Sequence, residues 1–147
     1  MSRTLTAAEV RAIREGLGVT AEWLADHLGV TTRAVQRWES GQNRAKHFVS
    51  DALLLLEAEA AEQVAAHLDA FNDAHAHVPA LLAIDDRGHD TWPSGWQRMV
   101  AFRVRQQLPG LRIIDTSDPG TPLTDDIRDT DANADAPSPD APLTRHR

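Results

Sequence analysis

The chain contains no cysteine and no tyrosine among its 147 residues. Without cysteine, disulfides, thiolate zinc sites and cysteine nucleophiles are excluded. Aromatic residues are few, four Trp and three Phe, although a hydrophobic content of 41 % is enough for a core. A chain of this length fits one compact domain or two small ones. No window approaches the ~20 apolar residues of a membrane-spanning helix. The N-terminal stretch MSRTLTAAEVR has no apolar run of signal-peptide length. A soluble, cytoplasmic protein is the expectation.

Positive charge is missing from a whole section of the chain. Residues 48–77 carry six Asp/Glu and no Lys or Arg, and residues 115–147 carry eight Asp against three Arg. The formal net charge of −7 therefore hides a mildly basic N-terminal third, where residues 1–47 hold seven Lys/Arg and five Asp/Glu. Charge divided in this way says more about partners than the total does.

That basic third reads as three short helices. Residues 6–16 begin with Thr6 and carry Glu9 at capping-box spacing, with Val10, Ile13 and Leu17 as an apolar stripe. Residues 20–28 are capped by Thr20 and stopped by Gly29. Residues 31–40 are capped by Thr31 and stopped by Gly41. The connection Gly29-Val30 is so short that the second and third helices must cross steeply, which is helix-turn-helix geometry. Arg33 and Arg37, four apart, share one helix face with Gln36 beside them. Arg pairs bidentately with guanine and Gln with adenine in the major groove. Ala34, Val35 and Trp38 supply apolar anchors for the inward face. Thr20, Thr31 and the start of the next helix, with Asn43, Arg44 and Lys46, suit phosphates.

Residues 46–77 read as one long helix or two joined ones. Val49, Leu53, Leu56, Ala60, Val64, Leu68 and Phe71 recur near the natural helix period, along roughly 45 Å of helix. The run ALLLL at 52–56 is apolar on more than one side and is expected to pack against the first three helices. Beyond Pro79, the runs 79–85 and 111–115 read as short strands. Residues 91–108 between them read as a helix with Trp96, Met99, Val100, Val104 and Leu108 on its stripe. Two strands and a helix are too little to stand alone. They must pack on the long helix, pair with a second copy, or both. Residues 116–147, rich in Asp, Pro, Thr and Ser, are expected to be a disordered acidic tail.

On the segments Leu17-Gly18-Val19, LADHLGV at 24–30 and TTRAVQRWESGQ at 31–42, residues 5–56 resemble the helix-turn-helix domain of the phage repressor-like (Cro/CI, XRE) family. The resemblance implies that Thr32, Arg33, Gln36 and Arg37 face DNA. It also implies that Arg14 and Glu39 form an internal salt bridge tying the first helix to the third. The sequence departs from the family at Ala21, where relatives often carry a phosphate-clamping Gln, and that leaves the neighbouring Trp23 to pack on the C-terminal part or on a partner. Residues 57–115 are similar in architecture to anti-CRISPR-associated autorepressors, chiefly at the helix start Trp96-Gln97. That similarity implies a homodimer formed by the second half, repression of its own operon from an inverted repeat, and a phage context.

The expected fold is thus mainly α. It comprises an N-terminal helix-turn-helix bundle at 1–56, a long connecting helix leading into a small α+β dimerisation segment at 57–115, and the tail. Leu68, Phe71, Trp96, Met99, Val100 and Phe102 are the candidate dimerisation residues. Double-stranded DNA and a second copy are the expected partners, and no cofactor is expected. The alternative is an antitoxin-like protein-interaction module, in which the second half masks another protein. RNA binding lacks an aromatic platform. His67, Asp73, His75 and His77 invite a metal reading, but His75 and His77 cannot share a helix face. His89-Asp90 has no nucleophile pattern near it, so no enzyme is expected. The acidic tail is read as solubilising, with competition for the basic face as the other possibility.

Overall fold

The first helix starts where its capping chemistry is strongest. Thr6 Oγ1 accepts from Glu9 N at 3.2 Å while the Glu9 carboxylate accepts from Thr6 N at 2.8 Å, and α1 runs Ala7–Gly16. Thr20 and Thr31 cap α2 (Ala21–Leu28) and α3 (Thr32–Glu39) by the side chain alone, accepting from Trp23 N and Ala34 N. Gly29 ends α2 in the left-handed conformation, φ 67°, so that the backbone turns at once toward α3. This computed structural model describes residues 3–73, 81–84 and 91–116.

Helix α4 (His47–Asp73) is continuous over 27 residues, about 40 Å. Val49, Leu53, Leu56, Ala60 and Val64 form its buried face, as their spacing predicts. Leu68 and Phe71 are half-buried. Ser50 is buried among them because its hydroxyl accepts from Leu5 N at 3.0 Å, tying the N-terminal segment to α4. The leucine run is split: Leu53 and Leu56 are buried in the core, but Leu54 and Leu55 are 42 % and 71 % exposed. A single helix cannot turn four consecutive side chains toward one core.

The remaining elements form a β-α-β unit: β1 (Leu81–Ile84), α5 (Ser94–Gln107) and β2 (Arg112–Asp115). The strands pair in parallel within the chain, Leu81 opposite Arg112 and Ile84 opposite Asp115. A parallel pair needs a crossover, and α5 supplies it. The unit solves its size problem by packing α5 on α4. Trp96, Val100, Ala101 and Val104 are buried there.

One hydrophobic core runs from Val10, Leu24 and Val35 through Leu53 and Val64 to Trp96, Val104 and Leu111. Residue 56 therefore lies inside both a continuous helix and a continuous core, and the chain up to Ser117 is one compact unit. Residues 118–147, which contain almost all of the acidic tail, lie outside the described residues. Among the described residues no helix is long and apolar enough to cross a membrane.

Candidate nucleic-acid interface

The outward face of α3 is polar and its inward face is not. Val35 is fully buried and Trp38 is nearly so, with its ring edge-on to Phe48 of α4 at 6.5 Å. Arg33, Gln36 and Arg37 are exposed, and Thr32 is half-buried. The backbone then returns past the end of α3: Asn43 N donates to Arg37 O at 3.1 Å, bringing the segment that carries Asn43, Arg44 and Lys46 close to that face. All three are exposed. Among the described residues, Arg33, Arg37, Arg44 and Lys46 take part in no ion pair. These four exposed cations, two on α3 and two on the segment before α4, give this side of the chain a positive character.

Thr20 and Thr31 use one hydroxyl lone pair each for capping. The hydroxyl proton of each is left to donate outward. Lys46 O accepts from Val49 N and Ser50 N, so Lys46 begins α4 through its backbone and its ammonium is not spent on the cap.

The orientation of α3 is fixed from behind. Arg14 on α1 grips Glu39 at the end of α3 with two parallel bonds, Nε to Oε1 at 2.5 Å and Nη2 to Oε2 at 3.2 Å. Its Nη1 donates to Val19 O at 3.0 Å. The two side chains are only 14 % and 12 % exposed. A planar guanidinium with all three nitrogens engaged defines an angle between helices as well as a distance.

Trp23 packs on the C-terminal part, one of the two outcomes its position allows. It stacks on His27 at 4.9 Å and leans on Trp92 at 6.0 Å, and Trp92 stacks on Trp96 at 4.1 Å. Trp96 Nε1 donates to Gln63 Oε1 at 2.8 Å, and Gln63 Nε2 donates to Glu59 Oε1 at 2.9 Å. A ladder of rings thus joins α2 to α5 and α4. Trp92 carries no weight in the sequence reading. Four tryptophans in a chain without tyrosine were the signal that could have drawn attention to it.

Two of the candidate dimerisation residues are corrected by this packing. Trp96 is fully buried and Val100 is 4 % exposed in the chain's own core, so neither is open to a second copy. Leu68, Phe71 and Met99 are half-buried, and Phe102 is 57 % exposed. Among the described residues no group of three His, Asp or Glu is placed to hold a metal ion. His67 and Asp73 lie on α4, whereas His75, His77, His89 and Asp90 fall outside the described residues.

No protein-family model matches the chain, and no curated protein is detectably similar to it in sequence.

Proposed function

We propose that this protein is a homodimeric, sequence-specific DNA-binding transcriptional regulator, a repressor that covers an inverted-repeat operator. In this reading α2, the Gly29 turn and α3 form a helix-turn-helix, and the outward face of α3 enters the major groove. The observation that carries it is that Arg33, Gln36 and Arg37 stand exposed on a helix whose other face is anchored by Val35, Trp38 and the Arg14–Glu39 pair.

Arg33 and Arg37 read guanine O6 and N7, and Gln36 reads adenine N6 and N7. Asn43, Arg44 and Lys46, with the hydroxyls of Thr20 and Thr31, hold flanking phosphates and set the register. Ala21 gives no side-chain clamp at the start of α2, so more of the phosphate contact falls on the segment before α4. Two copies present their α3 helices about 34 Å apart, one turn of DNA.

The test is selection from a random duplex library by the full chain at near-physiological salt, with the Arg33→Ala/Arg37→Ala double variant alongside. The expected result is an enriched inverted repeat that the variant fails to select. No enrichment by the wild-type chain overturns the reading.

A further inference from the structure

We propose that two copies associate by a reciprocal knob-and-groove contact, in which Phe102 of each copy enters the groove between α4 and α5 of the other. The inference rests on the dimeric reading above and names its surface. The groove is open and holds about 510 Å³. Ala61, Ala65 and Leu68 form its α4 wall, and Arg103 and Gln106 its α5 wall. The two alanines keep the α4 wall low. Phe102, more than half exposed, lies on α5 next to Arg103 and one helical turn before Gln106, two residues that line the groove. A two-fold contact requires one patch to carry both halves of the fit, and this patch carries a knob beside a groove.

Charge selects the second copy as the occupant. Helix α4 has no Lys or Arg, and Glu62 and Asp69 stand exposed beside the groove residues Ala61 and Leu68. Residues 91–114 have no Asp or Glu, and Arg103 and Arg105 flank the knob. Exchange of knobs therefore sets basic α5 against acidic α4 twice over. The competing seam is α4 on α4 through Leu55, the most exposed leucine among the described residues. That seam would set acidic residues such as Asp51 and Glu62 against an equally acidic copy of the same helix, with no cation from either.

The experiment is sedimentation velocity on the full chain and on Phe102→Glu, Ala65→Trp and Leu55→Ser. All three sites are exposed, and far-UV circular dichroism checks that each variant keeps its helices. The expected result is a wild-type dimer whose dissociation constant rises roughly tenfold or more in Phe102→Glu and in Ala65→Trp, as for a central aromatic anchor, and is unchanged in Leu55→Ser. A wild-type monomer at every concentration overturns the proposal, as does a dimer insensitive to Phe102→Glu and Ala65→Trp. A dimer broken by Leu55→Ser alone also overturns it. The same proteins are then tested on duplex DNA. If Phe102→Glu breaks the dimer but no protein selects DNA, the seam stands and the DNA reading falls. If Phe102→Glu selects the inverted repeat as well as wild type does, the seam falls and the DNA reading stands.

Discussion

The backbones of Gly18 and Gly95 touch: a β-carbon on Gly95 would lie 2.0 Å from the Gly18 carbonyl oxygen. Gly18, at φ 71°, closes the turn after α1, and Gly95 lies in the first turn of α5. Two residues far apart in sequence thus meet main chain to main chain, with no room for a side chain on either. Arg103 Nη2 adds a bond to Gly16 O on the same side at 3.3 Å.

Gly95→Ala is expected to destabilise the chain by about 1–3 kcal/mol, the usual cost of overpacking a tight contact. The φ of Gly95 is not positive, so the cost is steric rather than conformational. Gly16→Ala is the control. It lies within α1 with open space around it, and it should stabilise by about 0.5–1 kcal/mol. Urea unfolding of both variants checks the opposite signs.

Glu39→Ala leaves the half-buried Arg14 with the Val19 carbonyl and a longer ion pair to Glu15 at 3.6 Å, without its bidentate partner. A hydrogen bond to a charged group contributes about 1.5–3 kcal/mol net, and a stability loss in that range is expected. The same variant should relax operator preference without removing any exposed cation, because the angle of α3 loosens. A variant that loses stability yet selects the same operator with the same stringency would separate the clamp from recognition.

Ser50→Ala removes the acceptor for Leu5 N in a fully buried position. An unpaired buried N–H costs about 1–3 kcal/mol. Hydrogen exchange at the Leu5 amide should accelerate more than at Val10, one turn into α1.

The Glu9 carboxyl is held below its usual range, chiefly by the Thr6 backbone N–H, with desolvation opposing and the charge of Arg3 adding to the lowering. A group with a depressed folded-state pKa contributes stability that is present above its unfolded value and lost as pH falls through the folded value. The start of α1 should therefore fray below the ordinary glutamate range. A Glu9→Gln variant should lack that part of the acid response when Thr6 and Ala7 amide shifts are followed by NMR.

What the sequence made legible was local. Thr6 with Glu9, Thr20, Thr31 and Gly29 carry their capping and stopping roles in the residue types themselves, and the α4 stripe from Val49 to Val64 follows from period alone. The exposed face of α3 was legible for the same reason, since Val35 and Trp38 on one side define the other. Phase was harder in uniformly apolar stretches. Four leucines in a row gave no sign of which two face outward, and the stripe on α5 gave no sign that Trp96 and Val100 face the same chain rather than another copy. The Gly18–Gly95 contact was out of reach, and for Trp23 the sequence left open whether the C-terminal part or a partner receives it, because both depend on how the second half folds back onto the first.

That fold-back makes the protein a poor source of interchangeable parts. The helix that would read DNA rests on α1, α1 hands its terminal turn to α5, and α5 shares α4 with everything before it. A recognition segment cut from this chain at residue 56 would take Trp23 away from its ring partner and end inside the continuous α4. A chimaera that keeps the specificity of α3 must also carry the stretch from Trp92 to Trp96, and the chain up to Ser117 should melt in one step.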